Sequence, residues 1–320
     1  MSDVAYTRGL HRLGESCSVW FEPPGSWGLS NSGVLVAGEE ALVVDTQNDM
    51  PRARALADAI RLEAPSATVT TVVNTHADGD HWLGNVVFEG ARIVAGEAAA
   101  AGMRSFWLDP RRLDSIGVPG TVLHDWIGWR RQAFDYRDWR PVYPTETFVG
   151  RRRITVGAVE VELIEVGPAH TAGDVVVHVP EAGIVFAGDI LFHRSTPIAW
   201  SGPVTHWINA LEDLLALGAG TVVPGHGPLA GPNGVREARD YLSFVLAHGE
   251  RSWRAGLSPR EAYRSIDLGR FESWLHTSRV LQTLQTVYRD LDPDFEGEDV
   301  LETILADDHG APSDVTLEAR

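Results

Sequence analysis

The chain has 320 residues and a formal net charge of -17, from 44 Asp plus Glu against 27 arginines and no lysine. So acidic a balance excludes the basic footprint of a nucleic-acid binder and disfavours anionic membrane surfaces; for most of the carboxylates it means solubility. The single cysteine, Cys17, excludes an internal disulfide and a thiolate metal cluster, leaving twelve histidines as the main soft-ligand resource.

In chain order, the first half alternates strands and helices. Residues 17–22 read as a strand, and SGVLVAG and ALVVDT, the latter ending at Asp45 and Thr46, as two more joined by a turn at 38–40. Pro51 opens a helix over about 51–63, with Ala53, Leu56, Ala57 and Ile60 at i, i+3, i+4 and i+7. The β-branched run 67–75 predicts a buried strand, and 91–96 a short strand before an Ala-rich helix. Residues 100–145 differ in texture. They hold Trp107, Trp126, Trp129 and Trp139 with Phe106, Phe134 and Tyr136, and read as a helical insert that walls a substrate, packs on a small core of its own, or does both.

From 146 short strands return: RRITVG, VEVELIEVG, DVVVHVP and GIVFAGD, separated by Gly or Pro turns. Residues 207–218 form an amphipathic helix, and TVVPGHGP gives another strand and its exit loop. Beyond 231 the chain reads as a helical extension to about 305, with a capping box at Ser258–Glu261 and an amphipathic helix over 278–291. Its apolar faces near Phe244, Val245, Trp253, Leu281 and Leu284 fit either a cover over a cleft or a homodimer interface. Residues 1–305 form one domain in this reading, and 306–320 a disordered tail. The amino terminus has no apolar stretch of signal-peptide type, and no segment approaches the roughly 18 apolar residues of a membrane span, so the expected location is cytoplasmic.

The strongest chemical signal is NTHADGDHWLGN (74–85), where His76, Asp78, Asp80 and His81 follow directly on a buried strand. In an extended loop, alternation throws His76, Asp78 and Asp80 to one side with His81 adjacent, and Gly79 lets the backbone turn. Several nitrogen and oxygen ligands on a rigid element are what a catalytic metal needs. Three later motifs place a single ligand-type residue at a strand end: His170 in PAHTAGD, Asp189 in VFAGDILF and His226 in VVPGHGP. A lone polar residue of that kind is more often capped or buried, but together these would meet at one sheet edge.

This set resembles the metallo-β-lactamase superfamily of metallohydrolases, over roughly residues 17–230, with Asp45 behind the metal loop as in the family's opening hairpin. The AGDILF and HTAGD segments look most like its glyoxalase II-like and lactonase-like branches. The resemblance implies an α/β fold, a four-layer αβ/βα sandwich with metals in a cleft between the sheet edges. It implies two divalent ions, zinc first: one held by His76, Asp78 and His170, the other by Asp80, His81 and His226, with Asp189 bridging. The family's usual second histidine is here Asp78, a hard charged oxygen that would favour iron or manganese, or else leave the first site weak.

The implied reaction is hydrolysis of a small-molecule thioester, lactone or related ester or amide; the aromatic insert suggests an apolar or aromatic acyl group, and the Lys-free, Arg-rich composition a secondary metabolite. Metal-activated water attacks a polarised carbonyl while Asp80 and Asp189 position it and accept its proton. His193 and His206 are candidates to protonate a leaving group, and Trp82, Trp200 and His206 to line the pocket. The rival reading is a non-haem iron dioxygenase of persulfide-dioxygenase type using His76, His170 and Asp189; a scaffold that binds without catalysis is the third. His11, His124, His178, His248, His276 and His309 read as non-ligands.

Overall fold

The computed structural model describes residues 4–308. The amino-terminal half builds β1 (Gly9–Arg12), β2 (Cys17–Phe21), β3 (Ser32–Ala37), β4 (Glu40–Val44), α1 (Met50–Glu63), β5 (Thr68–Asn74), the short helical turn α2 (Gly79–Trp82), β6 (Arg92–Gly96), α3 (Glu97–Arg104), α4 (Val122–Ala133) and β7 (Glu146–Phe148). The remainder builds β8 (Arg151–Val156), β9 (Val159–Glu165), β10 (Val175–Val179), β11 (Ile184–Phe192), α5 (Val204–Ala216), β12 (Thr221–His226), α6 (Pro232–Arg254), α7 (Pro259–Ser265), α8 (Val280–Leu291) and α9 (Leu301–Asp307).

These strands make two sheets, one of seven in the order β1-β2-β3-β4-β5-β6-β7 and one of five in the order β12-β11-β10-β9-β8. Period-two alternation decides which side chains face inward. Cys17, Val19 and Phe21 of β2, Leu35, Leu42, Val44, Val73 and Val94 meet Ile154, Val156, Val161, Leu163, Val177 and Phe186 of the other sheet. The alternate residues Trp20, Val34, Val43, Val72 and Ile93 lie under Leu56 and Ile60 of α1. On the far side Val176, Val185 and Ala187 are covered by Trp207, Leu211 and Leu214 of α5 and Tyr241, Leu242 and Val245 of α6. The result is helix, sheet, sheet, helix: the expected four-layer sandwich. Gly33 marks how closely the sheets approach, since a Cβ there would stand 2.3 Å from the Phe186 ring.

Asp49 caps α1 by accepting from the Arg52 amide, and the capping box at Ser258 and Glu261 is formed at α7. The expected helix over 278–291 begins as a tight turn at Thr277–Arg279 before α8. The expected tail reads differently at its start. Residues 306 and 307 close α9, which buries Ile304 and Leu305 against α8 and α4; the rest of the tail, from 309, lies outside the described residues. The apolar residues considered for a cover or dimer face are spent inside the chain: Val245, Leu281 and Leu284 are fully buried, and Phe244 and Trp253 pack on the same core. No helix among the described residues is long and apolar enough to cross a membrane.

Candidate metal centre

Most of the chemistry-bearing side chains sit where strands end; Asp189, expected at a strand end, lies inside β11. β5 delivers His76 and Asp78, α2 carries Asp80 and His81, the loop between β9 and β10 gives His170, β11 gives Asp189 and β12 ends at His226. The 79–82 segment is a helical turn and not the extended loop its alternation suggested; Asp78 stands at the turn's start, and consecutive Asp80 and His81 splay from it. Gly79 is there for space: a Cβ would lie 2.6 Å from the Phe106 ring.

Three overlapping groups of potential ligands result, His76 with Asp78 and His170, Asp80 with His81 and His226, and His76 with His81 and Asp189, and Asp189 also approaches His170 and His226. His170 Nε2 lies 3.2 Å from Asp78 Oδ2 and 3.4 Å from Asp189 Oδ2. His226 Nε2 lies 3.4 Å from both Asp80 Oδ2 and Asp189 Oδ2, and His81 Nε2 lies 3.2 Å from Asp189 Oδ1. Ligands about 2.0–2.1 Å from one tetrahedral ion stand about 3.4 Å from each other, so these spacings fit cations between the groups. His76 is the looser member, 3.8 Å from Asp189 and 4.0 Å from Asp78.

Each imidazole is turned the same way by a partner on its other nitrogen. His81 Nδ1 donates to Asp45 Oδ2 at 2.8 Å, His170 Nδ1 to the Ile198 carbonyl at 2.7 Å, and His226 Nδ1 to the Gly25 carbonyl at 3.2 Å. His76 Nδ1 lies 2.9 Å from Thr75 Oγ1, whose own proton goes to Asp45, so the hydroxyl accepts from the ring. All four Nε2 lone pairs therefore face the centre. Nε2 of His76 and of His81 and Oδ1 of Asp189 are buried with no hydrogen-bond partner among the described residues. Orphaned buried polar atoms are costly, and a cation is the partner this donor set fits.

The electrostatics agree. Burial opposes charge on Asp189, yet His226, His81 and His76 hold its carboxyl well below the usual range. Asp78 is held at about 2 against burial by His170. Burial likewise opposes protonation of His81, but Asp189, Asp45 and Asp80 outweigh it and push that ring up; His170 goes up to about 9 through Asp78 and Asp189. Three carboxylates in one enclosed cluster demand positive charge.

Glycines give the cluster its room. A Cβ at Gly225 would fall 1.9 Å from Asp189 Oδ1, so the residue before His226 must have no side chain. Asn31 pins that loop by donating to the Pro224 and Gly227 carbonyls, each at 2.9 Å.

Of the other expected residues, one reaches the site and the rest fall elsewhere. Trp200 does reach the site: its Nε1 donates to Asp78 Oδ2 at 3.1 Å and its ring lines the cleft. Trp82 does not line it; it is buried under the metal loop, donating to the Ala77 carbonyl at 3.0 Å and stacking on Tyr143. His193 is tied to the Pro228 carbonyl at 2.9 Å and faces Gly234 of α6, so its ring braces the helix and is not a proton donor to the cleft. His206 is exposed on the first turn of α5. His178 pairs with Glu162, His248 with the Ala262 carbonyl and His276 with Asp308, outside the cluster; His309 lies outside the described residues.

The cleft over Asp78 and Asp80 is walled by Trp27, Phe106, Trp107, Leu108, Trp126, Arg130, Trp200 and Leu301. The aromatic insert thus does both things expected of it: Leu108, Leu113, Trp126 and Ile127 form a small core with Leu305, and its other face walls the cleft. Trp27 and Leu301 carried no signal in the sequence, since nothing local to either marks a site. A larger hollow, about 360 Å³, lies among Arg151, Arg152, Arg153, Glu162 and Ile164, remote from these groups.

Residues 25–226 match the family model described as the metallo-beta-lactamase superfamily. Hydroxyacylglutathione hydrolases of Brucella ovis and Brucella abortus are each 27% identical over 196 residues, covering 60% of this chain and 60% of theirs. Among solved structures, a metallo-beta-lactamase from Pontibacter korlensis aligns with TM-score 0.56 and 20% identity, over 74% of this chain and 99% of that one. A stereoselective inverting sec-alkylsulfatase from a Pseudomonas species aligns with TM-score 0.66 and 15% identity, over 91% of this chain and 51% of its own. At such identities these structures speak for the fold alone.

Proposed function

The chain belongs to the metallo-beta-lactamase superfamily, and from that premise we propose that it is a metal-dependent hydrolase of a small thioester or related ester, with two divalent ions in the cluster, zinc first. The observation that carries the reading is the pair of ligand groups sharing Asp189, with the four imidazole Nε2 atoms turned inward. The thioester class is suggested by the name of the Brucella relatives, to which the match extends over only 60% of their length.

His76, Asp78 and His170 would hold one ion and Asp80, His81 and His226 the other, with Asp189 between them. Bound there, the ions would supply Lewis acidity and lower the pKa of water toward neutrality. The chain's own part is orientation and proton handling. Asp45, Thr75 and the Ile198 and Gly25 carbonyls fix the imidazoles. Asp80 lines the cleft and its carboxylate can take the proton of an attacking water. The wall of Trp27, Phe106, Trp126 and Trp200 keeps bulk water from the acyl group.

The oxygenase alternative would use His76, His170 and Asp189 alone. It leaves Asp80, His81 and His226 without a role, although the two imidazoles are held by second partners as the other two are. Elemental analysis of the isolated protein, followed by thioester and lactone turnover with zinc under argon, separates the two. Zinc-supported anaerobic hydrolysis is expected; iron-dependent oxygen uptake with no hydrolysis would overturn the proposal.

A further inference from the structure

We propose that the cleft binds a substrate carrying a carboxylate, and that Arg130 of α4 is the residue that recognises it. This rests on the hydrolase reading for the site's purpose, but not for its binding chemistry.

Arg130 is 3% exposed, yet it lines the cleft that also contains Asp78 and Asp80. The groups it touches directly are neutral. Nη2 donates to the Asn48 side-chain carbonyl at 2.8 Å, and the guanidinium lies over the rings of Phe134 at 5.0 Å and Trp126 at 5.6 Å. Among the described residues no carboxylate comes within 4.0 Å of it, Nη1 makes no hydrogen bond, and Nε is buried without a partner. Arg52, over the same Phe134 ring, shows the contrast: it has Asp49 at 2.8 Å and Glu22 at 3.6 Å. A guanidinium removed from water without an anion is costly, and the aromatic faces offset only part of that.

The backbone makes room for this cation. Gly28 has φ of +77°, and a Cβ there would stand 3.2 Å from Arg130 Nη1 and 2.6 Å from Asn48 Nδ2. The wall is reinforced by a second buried guanidinium, Arg279, 4.0 Å from the Trp27 ring, which meets Trp126 edge-on at 5.9 Å. In a chain of net charge -17, the two arginines buried among the described residues both flank this one wall. The cleft offers about 60 Å³, several times the roughly 10–15 Å³ that one water needs, so a functional group can enter beside the guanidinium. The free edge of a guanidinium fork beside such a space matches a carboxylate, held by two parallel N–H bonds.

The test uses the full chain loaded with zinc and two probes of one shape, 4-phenylbutyrate and 4-phenylbutanamide, with affinities from calorimetry. The acid is expected to bind about tenfold or more tightly than the amide, the span of one charge-assisted contact. Arg130→Gln should bring the two affinities to equality at unchanged zinc content. Arg130→Lys, which keeps charge and bulk if the glutamine variant fails to fold, should lower the preference severalfold, since an ammonium cannot present the fork. Equal affinities in the wild type, or a preference undiminished in the variants, would overturn the proposal; the latter would mean the acid binds zinc directly. Failure to hydrolyse any thioester or lactone would sink the hydrolase reading and leave the acid-over-amide ratio standing.

Discussion

Replacing Asp45 by Asn should weaken the metal centre without touching a ligand. Asp45 is buried, with φ of 61°, a left-handed conformation that Asn tolerates. Its Oδ1 accepts the Thr75 amide at 2.8 Å, and its Oδ2 accepts both the Thr75 hydroxyl and His81 Nδ1 at 2.8 Å. The new amide must put its NH2 on one side. Against the Thr75 N–H two donors collide with no relief, at about 1–3 kcal/mol. At the other position the hydroxyl can rotate and His81 can move its proton to Nε2, so that Nδ1 accepts. The second arrangement costs less, and it removes the Nε2 lone pair from the centre. Loss of such an outer partner lowers metal affinity about 10–100-fold, or about 1.4–2.7 kcal/mol. Competition against a chelating zinc dye measures this directly. A D45N protein that folds and binds zinc within about threefold of wild type would refute the tautomer argument and the assignment of His81 with it.

The remaining expectations bear on the same site and its frame. His170→Ala or Asp80→Ala should abolish hydrolysis and lower zinc by about one ion per chain, with circular dichroism unchanged; full activity in either rejects the ligand assignment. Gly225→Ala, which would place a methyl 1.9 Å from Asp189 Oδ1, should displace that carboxylate and weaken binding of both ions, and an unperturbed zinc titration would count against Asp189 as the bridge. Burial pushes the Cys17 thiol up to about 11, so native protein at pH 8 should react with an aromatic disulfide reagent at a small fraction of the rate seen in denaturant. Rapid native labelling would contradict the packing of β2 against the second sheet.

The candidate ligands were legible because the motifs around them are local. His76 to His81 fall within six positions, His170 lies in the loop between two strand runs, Asp189 lies in β11 and His226 closes β12. What stayed hidden depends on distant packing. Trp82 and Trp200 look alike in sequence, but Trp82 is roofed by Tyr143, Phe106 and Trp139, whereas Trp200 points its N–H at Asp78. Arg130 sits in an amphipathic stretch where an arginine usually means a solvated face; only the folding of Asn48, Gly28 and Phe134 around it makes it a buried cation. His193 misled because proximity to Asp189 along the chain says nothing of direction: its ring is claimed by the Pro228 carbonyl.

The unusual Asp78 can be tested through its neighbour. Its Oδ2 accepts from Trp200 Nε1 at 3.1 Å and lies 3.2 Å from His170 Nε2. A carboxylate can receive an indole N–H and still face a cation with its remaining lone pairs. A histidine cannot: with one nitrogen toward the ion, it offers no acceptor at that point, and Trp200 Nε1 is left unpaired at a cost of about 1–3 kcal/mol. Asp78→His alone should therefore lose stability and bind the first ion poorly, although it writes the family's commoner motif. Adding Trp200→Phe removes the stranded donor, so the double variant should recover about 1 kcal/mol or more beyond additivity and sharpen the preference for zinc over iron or manganese. Strictly additive melting and unchanged metal selectivity in D78H would mean that Asp78 is neither a ligand nor coupled to Trp200.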